Sequence, residues 1–142
     1  MILIDANLLL YAYDIASPHH EAARDWLENT LSGPEQMGLA WVTLLAFMRL
    51  GTSHRLLKHP LSIAEVTAIV SAWLERPTVT LLNPGERHWD ILHGVMAKGQ
   101  AQGSLIMDAH LAALAIEYGA TLASTDRDFA RFPGVKLLNP LL

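Results

Sequence analysis

Residues 1–7 read Met-Ile-Leu-Ile-Asp-Ala-Asn. Ile2, Leu3 and Ile4 form a short aliphatic run closed by the carboxylate of Asp5. An unbroken apolar run of this length, with no polar alternation, suits a strand covered on both faces, the environment of a parallel sheet. A parallel sheet requires helical crossovers, so the rest of the chain should alternate strand and helix.

The sequence beyond residue 7 has that rhythm. Asn7 to Tyr13 reads as an apolar turn of helix. Ser17-Pro18 supplies an N-cap and first helical position for a helix over His19 to Leu31, broken by Gly33-Pro34. Gly38 to Val42 reads as a second strand, followed by a helix from about Thr43 that carries Phe47, Met48 and Leu50. Ser62-Ile63-Ala64-Glu65 is a capping box opening a helix with Ile63, Val66, Ile69, Val70, Trp73 and Leu74 on one face, ended by Pro77. Thr78 to Leu82 reads as strand three, and Asn83-Pro84 as the cap of a helix turning Trp89, Leu92, Val95 and Met96 inward. Gly99 to Gly103 is a loop before a helix from Ser104 to Tyr118, closed by Gly119. Ala120 to Ser124 makes strand four, Thr125 to Phe132 a turn with a short helix, and Val135 to Leu138 strand five. The expectation is one α/β domain over residues 1–142 around a mostly parallel sheet.

Composition narrows the function. At 142 residues and 51% hydrophobic, the chain is long enough to bury roughly two-thirds of its unfolded surface. The absence of cysteine removes disulfides, thiolate metal sites and a cysteine nucleophile. The apolar run Leu39 to Met48 is half a bilayer span and the first residues lack a signal-peptide pattern, so a cytoplasmic protein with no membrane partner is expected. Ten Lys and Arg against fourteen Asp and Glu give a formal charge of −4. Such a chain does not hold nucleic acid through bulk positive charge; phosphate must be met by local cations or by a metal ion. The high apolar content suggests that a second subunit or partner covers part of the surface.

The acids are placed unevenly. Asp5 ends strand one, Asp126 and Asp128 follow strand four, and Asp108 lies near the start of the helix leading into strand four. All three stretches therefore reach the carboxyl edge of the sheet, where ligands bind in open parallel folds. Close carboxylates repel unless a cation sits between them. Ligation by oxygen alone suits Mg²⁺ or Mn²⁺, an ion able to orient and acidify a water and to clamp both oxygens of a phosphodiester. Asn7 is placed to hold a water or a phosphate oxygen, and Ser124 and Thr125 to bond the Asp126 carboxylate. Singly, each acid has a plainer role: Asp5 as a turn residue, Asp108 as a helix N-terminal acid, Asp126 as a turn former and Asp128 as an N-cap. Their joint placement favours a metal site.

Arg49, Arg127 and Arg131 lie near that rim, with Arg55 and Lys58 farther along, and are candidates for phosphate contact, Arg49 and Arg127 foremost. Trp26, Trp41, Trp73 and Trp89 read as core. The His54/His59 and His88/His93 spacings do not make a zinc pair, and His110 points away from Asp108 on its helix.

Four segments together carry a resemblance. Ile-Asp-Ala-Asn at 4–7, Trp-Val-Thr-Leu-Leu-Ala-Phe-Met-Arg at 41–49, Asp-Ala-His-Leu-Ala-Ala-Leu-Ala at 108–115 and Ser-Thr-Asp-Arg-Asp-Phe at 124–129 resemble the PIN-domain ribonucleases, in order and at their spacing. The likeness covers nearly the full chain and is nearest to VapC-type toxins. It implies a three-layer α/β/α PIN-like fold with a five-stranded sheet, a Mg²⁺-dependent endoribonuclease acting on cellular RNA, a homodimer, and a VapB-type antitoxin whose tail fills the acidic cleft. It implies metal-binding and catalytic roles for Asp5, Asp108 and Asp126, with Asn7, Thr125 and Asp128 in support.

One position departs from the pattern: the family usually has a glutamate where this chain has Ala46. The alternative reading is thus a PIN-like module, weakened in catalysis, that binds RNA or protein. A phosphatase-like hydrolase using Asp5 as nucleophile ranks below both, because Asn7 stands where its second carboxylate would be.

Overall fold

Five strands of three residues each build the sheet of this protein, described over Met1–Leu142 by a computed structural model. They are β1 (Ile2–Ile4), β2 (Met37–Leu39), β3 (Val79–Leu81), β4 (Thr121–Ala123) and β5 (Lys136–Leu138). The spatial order is β3-β2-β1-β4-β5, and every pairing is parallel, not merely most of them. The crossovers are α1 (Ala6–Tyr13) with α2 (His20–Ser32), α3 (Trp41–Gly51) with α4 (Ile63–Leu74), and α5 (His88–Gly99) with α6 (Leu105–Tyr118). A 3-10 helix, Arg127–Arg131, joins β4 to β5.

The order of the strands sets the layers. From β1 to β3 the chain steps outward one strand at a time, then returns to lay β4 on the other side of β1. Right-handed crossovers in opposite directions put their helices on opposite faces. The alternating side chains agree: Ile4, Met37, Leu39 and Ala123 pack with Leu8, Leu27, Phe47 and Val70 of α1–α4. Leu3 and Leu122 pack with Val95, Leu111 and Leu114 of α5 and α6. This is the expected α/β/α sandwich. Helix α6 is buried along Ala109 and Leu111–Ala115, and its alanines let it lie close to the sheet. At Gly38, mid-strand in β2, a Cβ would sit 2.6 Å from Leu82 Cδ1, so any larger residue would displace the buried Leu82 side chain.

Several boundaries differ from expectation for identifiable reasons. Strand β2 stops at Leu39 and α3 starts at Trp41, because the Ala40 carbonyl already accepts from Thr43 N and Leu44 N, each at 3.0 Å. Trp41 is therefore a helical residue, half exposed, and not core; Trp89 is 64% exposed on α5 and not core either. Trp73 is buried as expected, and Trp26 partly so. Helix α2 begins at His20, with Ser17 Oγ accepting from His19 N one residue before the helix. Helix α5 begins at His88, so Asn83 and Pro84 precede it without capping it. The capping box is present: Ser62 Oγ accepts from Glu65 N and Glu65 Oε1 from Ser62 N, both at 3.0 Å. Gly119 closes α6 with φ +64°.

Phe47 is fully buried, with its ring centroid 4.9 Å from that of Trp73 and 5.7 Å from that of Tyr13. Phe47→Ala is expected to cost about 3–5 kcal/mol, and Ser62→Ala only about 1 kcal/mol. Urea denaturation measures both; equal losses would contradict the packing described.

Candidate functional site

The strand order reverses between β1 and β4, so the chain segments leaving these two neighbours part to either side and open a crevice at their carboxyl ends. Asp5 leaves β1 in extended conformation and caps α1, its Oδ1 accepting from Ala6 N at 2.8 Å. Its other oxygen accepts from Ser124 Oγ at 2.6 Å. Ser124, just past β4, also accepts from Asp126 N at 2.9 Å, so one buried hydroxyl ties Asp5 to the Asp126 turn. The sequence pairs Ser124 with the Asp126 carboxylate; the structure gives its proton to Asp5 instead.

Asp126, not Asp128, caps the 3-10 helix: its Oδ1 accepts from Asp128 N at 2.9 Å. This turn folds Asp128 back toward α6. Carboxylate oxygens of Asp108, Asp126 and Asp128 come within 4.8 Å of one another. Asp5 and Asp108 line one open cleft of about 370 Å³, walled by Val42, Thr43, Leu45, Ala46 and Arg49 of α3 and by Met107 and Leu111 of α6. The structure thus joins Asp108 to Asp126 and Asp128 in one cluster and to Asp5 across one cleft, with Asp5 itself outside the cluster.

The electrostatics follow from that crowding. Asp108 is pushed up to about 6, first by burial, then by the charges of Asp126, Asp5 and Asp128, with Arg131 opposing. Asp5 is raised by burial, with Ser124 and the Ala6 N–H pulling it back and Asp126 adding to the rise. None of the four carboxylates makes an ion pair. Arg131 donates to the Gly99 carbonyl at 3.0 Å and Arg127 borders a separate depression beside Asp126, which leaves Arg49 as the cation in the cleft wall.

Two further polar atoms there are unsatisfied. Asn7 Nδ2 donates to Thr125 Oγ1 at 2.9 Å, fixing both expected supporting residues, yet Asn7 Oδ1 is buried without a partner. So is Thr43 Oγ1, on the cleft wall. Four oxygen-bearing acids without counter-cations, beside buried oxygens without donors, form a donor set suited to a hard divalent ion.

Sequence reasoning missed Thr43, hidden inside an apolar run, and Ser124's bond to Asp5, which spans 119 positions. It also undervalued His88. That ring is buried, shares a hydrogen bond with His110 Nδ1 at 2.9 Å, and lies 3.2 Å from Glu117 Oε1. Glu117 in turn accepts from Gly85 N. His110 is lowered by burial and then by His88. The chain of bonds locks α5 to α6 and keeps the His110 ring turned toward α5.

Comparison with known proteins agrees with the fold. The PIN domain family model matches residues 2–135. Ribonuclease VapC37 of Mycobacterium tuberculosis is 44% identical over 140 residues, 99% of this chain and 97% of that protein. Ribonuclease VapC33 of the same species is 43% identical over 141 residues, 99% of each. Among solved structures, VapBC2 from Rickettsia felis, bound to a promoter DNA fragment, aligns with a TM-score of 0.69 at 18% identity over 98% of each chain. Mycobacterium tuberculosis VapC20, a sarcin-ricin loop cleaving toxin, aligns at 0.67 and 16% identity over 96% of this chain and 99% of that one. With full-length identity above 40% to two VapC ribonucleases and a family match over nearly every residue, the chain belongs to the PIN-domain family, in its VapC group.

Proposed function

We propose that the protein is the toxin of a VapBC-like toxin–antitoxin pair, a Mg²⁺-dependent endoribonuclease that hydrolyses phosphodiester bonds of cellular RNA, such as tRNA or rRNA, in the cytoplasm. One observation carries this reading. Acids from three remote stretches converge at the switch point of the sheet, Asp5 sharing a cleft with Asp108 and Asp108 clustering with Asp126 and Asp128, with no ion pair to neutralise them. The names of the VapC relatives support the substrate class, and the VapBC complexes among similar structures support a VapB-type antitoxin as partner. No helix is long and apolar enough to cross a membrane. Exposed Ile15, Leu56, Ile63 and Trp89 offer apolar surface for the antitoxin and for a second copy in a homodimer.

Asp5, Asp108 and Asp126 would hold the ion, with Asp128 beside them; Mn²⁺ satisfies the same oxygen set. Bound there, the ion supplies charge neutralisation and Lewis acidity toward the phosphodiester and its attacking water. Asp5 is fixed by Ser124 and Ala6 N–H, and each of its oxygens keeps a lone pair for an ion. Asn7 and Thr125 brace each other across β1 and β4, leaving the Asn7 oxygen for a proton donor. Arg49 offers the cleft a guanidinium for a phosphate oxygen. Ala46 contributes only a methyl group to the wall, so the acids of the Asp108–Asp126–Asp128 cluster carry the negative charge that the family glutamate would share.

Purified protein with Mg²⁺ should cut total RNA and lose the activity in EDTA. Asp5→Asn and Asp108→Asn should each reduce cleavage by roughly 100-fold or more and relieve growth arrest on expression. RNA left intact by metal-loaded protein, or cleavage indifferent to EDTA, contradicts the reading. Because Asp108 titrates at about 6, an ion must displace its proton below that pH. Calorimetric Mn²⁺ affinity should therefore fall between pH 7.5 and 5.5, with proton release at the lower pH; equal affinities would contradict it.

A further inference from the structure

Trp41 stands at the first position of α3 with half of its surface exposed. Burial has not claimed this indole. At 100° per residue, Leu45 and Arg49 follow it on the same side of the helix, each turned by about 40° from the last. The buried residues of the helix, Thr43, Leu44, Phe47 and Gly51, occupy the opposite arc. Leu45 and Arg49 line the cleft that holds Asp5 and Asp108. Across it stands Met107 of α6, 54% exposed. The stripe therefore runs from a free aromatic ring, over an aliphatic side chain, to a cation beside the acids, across roughly 12 Å of helix.

We infer that Trp41, one helical turn before Leu45 and outside the lining of the cleft itself, is a nucleobase-stacking platform that extends the cleft and determines specificity, while the cleft engages the scissile phosphate; this rests on the ribonuclease reading above. Each part of the stripe matches a part of single-stranded RNA. The indole face takes an unpaired base, Leu45 and Met107 border it with apolar surface, and Arg49 meets a backbone phosphate. In a chain of net charge −4, stacking supplies affinity that bulk electrostatics does not. It also selects loops and single strands, because a base inside a duplex cannot reach the ring. A seam against a second copy is the competing occupant. Trp, Met and Arg are enriched in such seams too; what favours RNA is that the stripe leads into a cleft holding Asp5 and Asp108 without ion pairs, charges that a closed seam would leave buried and unpaired.

The test uses full-length protein in Ca²⁺, with a mixed-sequence ten-nucleotide RNA and an abasic ribose-phosphate strand of equal length as probes. Trp41→Ala should weaken RNA binding by roughly 10-fold or more and leave abasic-strand binding unchanged. Trp41→Phe should restore most of the loss. Quenching of tryptophan fluorescence by the RNA should disappear in Trp41→Phe and persist in Trp89→Phe. Unchanged thermal unfolding and elution volume confirm that the fold and oligomer are intact. Equal RNA binding by wild type and Trp41→Ala overturns the inference while leaving the ribonuclease reading standing. A shift of Trp41→Ala to a smaller oligomer, with both probes weakened alike, overturns it in favour of the subunit seam. RNA neither bound nor cut by the wild type contradicts the ribonuclease reading itself, and the stacking platform with it.

Discussion

Burial of Asp5 and Asp108 among further acids is the constraint around which this site is arranged. The topology of the sheet creates that crowding. Reversal of strand order beside β1 opens a crevice, two neighbouring strands end in acid-bearing turns, and a third acid arrives on the first turn of the most buried helix. The Ser124 hydroxyl then draws two of these segments together across 119 residues, and Asp126 curls the chain so that Asp128 joins them. The helix caps and the Ser124 bond hold these acids in place, yet the crowding does not favour the metal-free protein, as the elevated Asp108 shows. The proposed ion, shared by the carboxylates, would account for it.

Much of this was legible in the sequence, and the reason is local. The run Ile2-Leu3-Ile4 declares a doubly covered strand, Ser62 and Glu65 declare a capping box, and Gly119 a left-handed helix end; each depends on residues within a few positions. The convergence of the acids was legible too, because parallel topology obliges every strand's carboxyl end to face the same rim. What failed was amphipathicity where function replaces packing. Trp41 and Trp89 look like core residues because an indole is usually covered, and the apolar run from Gly38 to Val42 hides the point where strand becomes helix. Only the Ala40 carbonyl, already accepting helical bonds, marks that point.

Polar contacts between remote segments were the other gap. No spacing rule announces that His88 meets His110, that Asn7 meets Thr125, or that Thr43 is left without a partner. These depend on which helix lies against which, a matter settled by the crossovers and not by composition. The Ala46 departure is a sharper case. In sequence it is a missing acid; in the structure it is a smooth stretch of wall in a cleft whose cation is Arg49 and whose acids are shifted toward the 3-10 turn.

The central claim is that the acids tolerate one another only through a shared cation, and thermal unfolding of Asp108→Asn with and without Mn²⁺ tests it most directly. Asp108 makes no ion pair, so neutralising it should raise the melting temperature of the metal-free protein near pH 7.5 and greatly shrink the increase that Mn²⁺ gives the wild type. A variant that melts lower than the wild type in EDTA yet gains as much from Mn²⁺ would contradict the account.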